Sequence, residues 1–429
     1  MEKDFFERAG HLKLILILVM FGYFFLMFGN GIISMTHPDE VFYIQSAREM
    51  VDNNKWFTPM IFDGVQFEKP FIGFALFTFG VKYFGLDPFW CRFFPALFGI
   101  MGLCVTYWIS FMMFHRKRLA FLSGIILGTS FIYLALSRAV LTDMIFSVIV
   151  TASLGMFYYA YEYQKHKTKG LLLASALVSL TVLTKGLLGI TFFASPALMF
   201  LIYKRDLKFL KCKATFWSLL LFLALSLPWH IVMYAQHGQW FLDEYFGNVH
   251  WRRILASEHA RLDNWHFYIM LMFVGVMPWF LFWIPAAKNI RVTFKGKKDE
   301  RYPFAFLMFW IVGVYIFVQP AHSKLSSYIF PVFPAIAIIL ASYIDKMLSR
   351  EKGADIRSFN ICARVMLIFL LGVIAVGLFF TVKYETVLVN LVPIYGFALC
   401  LFLIAGFILY FQKRRQYAKL IFMYPAISA

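Results

Sequence analysis

The chain has 429 residues, 61% of them hydrophobic, 20% aromatic and only 15% charged, with a formal net charge of +18. That apolar fraction excludes a soluble domain of this length and makes the chain an all-α polytopic membrane protein, since a hydrocarbon core of about 30 Å is crossed by roughly 20 apolar residues in helical form. The excess of positive charge does not point to nucleic acid, because every basic cluster is a short loop between apolar stretches.

About twelve spans are predicted, near residues 11–33, 90–114, 119–136, 142–161, 170–184, 187–203, 214–236, 266–287, 302–319, 328–345, 360–382 and 387–411. The first follows an acid-containing start (Glu2, Asp4, Glu7) and lacks a small-residue cleavage pattern, which predicts a retained anchor. Threading the spans places 29 of 41 basic residues and 10 of 23 acids on the side of the N-terminus, +19 against −1 on the other. By the positive-inside rule both termini then face the cytoplasm. The whole of 1–429 reads as one transmembrane unit without a separate soluble C-terminal domain. Its two long outer loops run over about 34–89 and 237–265, and long ordered loops tend to carry function.

The first outer loop opens THPDEVFYIQSAREM at Thr36. Thr36 can cap a helix, Pro38 suits its start, and Val41, Ile44, Ala47 and Val51 recur at helical spacing, so an amphipathic helix in the interface is predicted. Asp39 and Glu40 fall in its first turn. They either answer the positive end of the helix dipole or serve as ionised catalytic carboxylates, and the two readings are compatible. A strand-like Trp56 to Pro59, a Glu68-Lys69-Pro70 turn, and a second interfacial helix over Phe71 to Phe84, too short to span, complete the loop.

Beyond the loop, Asp143 stands in SRAVLTDM in a tight outer turn, as a helix cap or an acid on the face of Asp39. Lys185 in LTKGLLGI and Lys324 in HSKLSSYIFPVFP lie at outer ends of spans. Singly, each lysine reads as a snorkelling anchor. With Arg138, Arg252 and Arg253 they form a candidate cationic collar for a phosphate. The second loop holds His237, His250, His259 and His266 without a recognised ligand spacing; Glu68 and His250 are the candidate ligands if a divalent cation is bound. The five cysteines suggest neither a disulfide framework nor a zinc site. No glycine-rich nucleotide loop occurs, so an outer-face reaction must draw on an activated substrate carried in the membrane.

The ordered set PDE, AREM, FEKP, Thr142-Asp143, LTKG, PWH at Pro228 to His230, PWF at Pro278 to Phe280, and SKLSSYIFPVFP resembles the lipid A aminoarabinose transferases and, more broadly, the bacterial relatives of the protein O-mannosyltransferases. The resemblance covers roughly Thr36 to Pro334. It implies the C-type glycosyltransferase fold and a polyprenyl-phosphate-linked sugar donor. The implied reaction is transfer to lipid A or another envelope glycan on the periplasmic face of the bacterial inner membrane. By that likeness Asp39 engages donor or acceptor, Glu68 and Lys69 close over the site, Asp143 is a second acid, and Lys185, Lys324 and Tyr328 lie near the lipid phosphate. Gln66 departs from the pattern, standing where the aminoarabinose enzymes tend to have tyrosine. A protein O-glycosyltransferase of the same fold is the alternative. A secondary transporter is a further one, although the conspicuous charges cluster at one face and not at the midplane.

Overall fold

The computed structural model describes residues 2–35, 37–252, 264–296, 298–349, 356–383, 392–421 and 423–428, and these are overwhelmingly helical. Among them seven helices are long and apolar enough to cross a bilayer, or nine if each of two bent pairs is one span. The bent pairs are Lys117–Gly128 with Phe131–Ser137 and Phe267–Val274 with Trp279–Lys295, turning by 66° and 106°. The expectation of twelve is therefore not met by helix length. The other three expected spans coincide with shorter apolar helices, His11–Met27, Leu188–Lys204 and Leu399–Lys413.

The two bends answer each other. A break in a buried helix frees backbone groups that need partners where no water is available. Here the N–H groups of Phe131 and Ile132 donate to the carbonyls of Met277 and Gly275 at 3.0 and 3.1 Å. The Trp279 indole donates to Thr129 Oγ1 at 2.9 Å. Hydropathy reports the apolar content of such a stretch and is blind to the break within it.

The Lys167–Lys185 helix packs against Thr142–Glu162 on one side and Lys213–Leu242 on the other. It ends at Gly186, whose φ of 81° is the left-handed conformation that glycine adopts without a Cβ penalty, so Lys185 sits in the last turn. On the opposite face of the protein, Phe333–Leu348 packs on Lys117–Gly128, and Arg116 and Arg118 converge there on the buried Asp345 carboxylate at 3.1 and 2.6 Å.

The first loop forms the two helices expected. Pro38–Asp52 is a helix started by Pro38 and capped by His37, whose ring nitrogen accepts from the Asp39 N–H at 3.3 Å; Thr36 lies outside the described residues. Its buried stripe of Glu40, Tyr43, Ile44, Ala47 and Met50 packs on Phe71–Phe84, with the Tyr43 ring 5.3 and 5.7 Å from those of Phe74 and Phe77. The strand-like stretch falls later than expected. A two-stranded hairpin pairs Met60–Ile61 with Gly64–Val65, while Trp56 to Thr58 are bends. Its tip residues Phe62 and Asp63 have φ of 52° and 61°, as the tight hairpin turn demands. The Glu49 carboxylate holds that tip by accepting from both N–H groups at 2.9 and 3.1 Å.

Close approach fixes where the Phe71–Phe84 helix lies. A Cβ on Gly73 would meet Thr142 Cγ2 at 2.3 Å, so only glycine lets this helix settle on the start of Thr142–Glu162. Gly73→Ala is expected to lower stability by about 1–3 kcal/mol through overpacking. Thr142→Ser, which removes the obstructing methyl, is expected to restore most of that in a thermal unfolding assay; an unimproved double variant would show that the contact is not limiting.

Candidate active site

Four chain segments meet at one end of the bundle. The start of Thr142–Glu162 supplies Asp143, the last turn of Lys167–Lys185 supplies Lys185, the first loop supplies Lys69, and the 326–328 turn supplies Ser327 and Tyr328. Asp143 and Lys185 form a direct ion pair with side chains only 5% and 7% exposed. Ser327 and the Lys69 ammonium lie close enough to the same carboxylate to act on it electrostatically. The rings of Tyr328 and Phe146 lie 5.0 and 5.5 Å from the Lys185 ammonium, so aromatic faces help hold the cation. The Lys69 ammonium is hydrogen-bonded to the Tyr43 hydroxyl and lies 4.7 Å from the Tyr43 ring centroid.

Asp39 is one helical turn before Tyr43, and residues four apart share a helix face. Its carboxylate therefore stands on the side of the helix that carries Tyr43 and Lys69. It is 65% exposed, with His37 Nδ1 at 3.8 Å.

Glu40 takes a different part from the one adjacency suggested. It is 5% exposed, and its two oxygens accept from Arg92 Nε and Nη2, both at 2.8 Å, while the Val140 N–H donates to Oε1 at 3.0 Å. The same guanidinium reaches the carbonyls of Asn30, Ile33 and Ser34. Glu40 is thus a clamp joining the first-loop helix to the chain just before Asp143, and it offers no open carboxylate to a substrate. Burial works to raise its pKa, but the hydrogen bonds from Arg92 and Val140 and the charge of Arg92 outweigh it and hold the group below its ordinary 4.5.

A depressed folded-state pKa means that this contribution to stability is present above the ordinary carboxylate range. It is lost as pH falls through the folded value. Arg92→Leu leaves the carboxylate buried without its cation and is expected to cost about 3–5 kcal/mol at neutral pH. That loss should shrink as the pH is lowered and Glu40 protonates, as a pH series of thermal unfolding measures.

The other expected residues divide. Arg138 is exposed and donates to the carbonyls of Phe25 and Phe28, bracing the end of the first apolar helix and standing apart from the described Asp143 contacts. Lys324 is 3% exposed and donates to the Ala321 carbonyl at 2.9 Å. Glu68 is half-buried beside Lys69. The side chains of His250 and Arg252, and all of Arg253 and His259, lie outside the described residues. The described residues contain no group of three or more His, Cys, Asp and Glu able to hold a metal ion. Sequence reasoning missed Arg92, Tyr43 and Ser327. Arg92 is separated from Glu40 by 52 positions, and no local pattern joins them.

A cavity of about 500 Å³ opens between the first loop and the Lys213–Leu242 helix, and none of Asp143, Lys185, Lys69 and Tyr328 lines it. Phe71 and Leu183 line it, each two residues from a cluster lysine, with Trp56, Trp229 and Met233 as apolar wall and Asn54, Lys55 and Gln236 as polar groups. Such a lining suits an amphiphile. The Trp229 indole donates to the Phe57 carbonyl at 2.7 Å and so joins the loop to the wall.

A model of the dolichyl-phosphate-mannose-protein mannosyltransferase family matches residues 12–239. An uncharacterized protein of Aquifex aeolicus is 30% identical over 388 residues, covering 89% of this chain and 72% of that protein. The undecaprenyl phosphate-alpha-4-amino-4-deoxy-L-arabinose arabinosyl transferase of Edwardsiella ictaluri is 27% identical over 322 residues, covering 75% of this chain and 57% of its own length. The chain thus spans little more than half of that relative. Among solved structures, ArnT from Cupriavidus metallidurans bound to undecaprenyl phosphate superposes with a TM-score of 0.79 at 20% identity, over 98% of this chain and 75% of that one.

Proposed function

The chain belongs to the dolichyl-phosphate-mannose-protein mannosyltransferase family, and from that premise we propose that it is an integral-membrane glycosyltransferase using a polyprenyl-phosphate-linked sugar. Its fold is the C-type glycosyltransferase fold that the ordered motifs implied. The proposed acceptor is lipid A or another envelope glycan, and the proposed site faces the periplasm. The supporting observation is the meeting of Asp143, Lys185, Lys69 and Tyr328 from four separate segments.

In the proposed reaction an acceptor oxygen attacks the anomeric carbon of the donor sugar. The bond from that carbon to the phosphate oxygen breaks, and its electron pair leaves on the polyprenyl phosphate. Positive charge builds on the sugar and negative charge on the leaving phosphate. In this reading Lys185 and Lys69 hold that phosphate. An ammonium has three donors, so the contact with Asp143 does not exhaust Lys185. Asp143 keeps it charged and oriented in an apolar setting. In the same reading the exposed Asp39 faces the sugar or the acceptor; it takes the proton of a hydroxyl acceptor, whereas an ionised phosphate acceptor has none to give.

The test is mass spectrometry of envelope lipids from cells with and without the protein. A glycolipid heavier by one sugar residue only when the protein is present supports the reading and names the sugar. Unchanged lipids together with a glycosylated protein would replace the acceptor by a protein.

A further inference from the structure

A second cavity, of about 470 Å³, lies on the face opposite the candidate active site, where the N-terminal segment, the corner between Phe93–Phe114 and Lys117–Gly128, and the end of Phe333–Leu348 meet. That volume is in the range of small-molecule sites. Charge dominates its lining. Four consecutive residues, His115, Arg116, Lys117 and Arg118, reach it, and the acids among its lining residues are Glu7 and Asp345. His115 closes one helix in the left-handed conformation and the next helix begins at Lys117, so the cations are held at a sharp corner.

Two guanidiniums share one carboxylate. Arg118, 13% exposed, and Arg116 both pair with Asp345, whose single charge balances one of them. Lys117 donates to the Glu7 and Ala9 carbonyls at 3.3 and 2.9 Å, neutral acceptors that leave its charge in place. Glu7 is exposed, where solvent and salt screen it. A cationic excess lining a concave wall concentrates anions there. The Lys117–Gly128 helix also starts at this point with no side-chain cap and no acid in its first turn, so its dipole adds to the same field. Two features narrow the anion. Arginine's planar fork fits the oxygens of a phosphate, and at 47% exposure the Arg116 guanidinium can be reached from the cavity. Phe6 and Phe111 supply apolar wall beside the cations, which suits a phosphate carried on an organic group.

We propose that this cavity binds a phosphate ester, its phosphate on Arg116 at the start of the Lys117–Gly128 helix and its organic part against Phe6 and Phe111. Two sources share that chemistry, the headgroup of an anionic phospholipid and a soluble phosphate ester. Bound there, the ligand ties the N-terminal segment to the corner that Asp345 anchors. Its recognition does not depend on what the candidate active site transfers.

Native mass spectrometry of the purified full chain tests this, with dioleoylphosphatidylglycerol, dioleoylphosphatidylcholine and glycerol 3-phosphate as probes. Phosphatidylglycerol or glycerol 3-phosphate is expected to be retained in preference to phosphatidylcholine. Phosphatidylglycerol that glycerol 3-phosphate does not displace assigns the site to a lipid headgroup. Glycerol 3-phosphate retained while the two lipids are held equally assigns it to a soluble ester, and displacement of one by the other shows that the site accepts both. Arg116→Gln should weaken retention about fivefold, Arg116→Lys less, and Arg116→Glu should abolish it. All three leave the Arg118–Asp345 pair in place, with thermal unfolding as the check; should Arg116→Glu not fold, Arg116→Gln carries the test. Lys211→Glu, in another loop that the threading of spans puts on the same face, should change nothing. Retention of neither anionic probe above phosphatidylcholine overturns the proposal. So does retention that survives the loss of the Arg116 charge, or that falls equally in Lys211→Glu, which would show only attraction to a basic surface.

Discussion

Asp39→Asn protein is expected to insert and unfold like the parent while transferring sugar roughly 10²–10⁴ times more slowly, the range for losing a positioned acid–base or charge-stabilising group. The expectation rests on its setting. The carboxylate is 65% exposed, and its nearest ionic neighbour is His37 at 3.8 Å, so replacing it by an isosteric amide takes little from the fold. It stands one turn from Tyr43, whose hydroxyl is bonded to Lys69. Its neighbour Glu40 fixes the orientation of the whole helix through Arg92 and Val140. A steady-state assay with reconstituted donor should show the loss in kcat with donor KM little changed. Full activity would remove Asp39 from the chemistry and leave it a helix-end charge.

The second large effect is expected at the buried pair. Lys185→Met leaves Asp143 as a carboxylate 5% exposed without its closest cation, and breaking a buried ion pair from one side costs about 3–5 kcal/mol. Removing both charges together, as Asp143→Asn with Lys185→Met, is expected to return most of that stability, because no unbalanced charge remains. Donor use should not return with it. Thermal unfolding and a donor titration on the same three proteins separate the two roles. A double variant that stays unstable would show that the charges are not coupled. One that regains donor affinity would show that Lys185 does not hold the phosphate.

How much of this could be read from the sequence depended on whether the signal was local. The helices at Pro38–Asp52 and Phe71–Phe84 were legible because a proline start, apolar spacing and run length are local properties. Asp143 and Lys185, 42 positions apart, could be placed together only through topology, since alternating spans bring outer ends to one face. Asp39 and Glu40 look alike in sequence and were read alike. The helix turns one outward and the other into Arg92, and nothing adjacent to Glu40 announces its partner. The strand-like stretch was set too early and the hairpin was not foreseen, because its turn residues are Phe62 and Asp63, one position ahead of the Asp63-Gly64 pair that ordinarily signals such a turn. Broken spans were read as straight ones for the same reason: the groups that stabilise each break lie in the other break, far along the chain.

The pairing of Arg138 with the Phe25 and Phe28 carbonyls carries a similar lesson. A cation near a candidate site was grouped with the phosphate collar by proximity to Asp143 in sequence. The fold instead uses it to complete the carbonyls at the end of the first apolar helix, where orphan acceptors need a donor.

The most direct measurement of the central claim is made on the purified chain in vesicles containing a polyprenyl-phosphate-linked sugar and envelope glycolipids, by following free polyprenyl phosphate and modified acceptor together. The account predicts that both appear in equal amounts with the parent chain and that neither appears above background with Asp39→Asn. Donor that is consumed by neither protein, or that moves between leaflets with its sugar still attached, would contradict it.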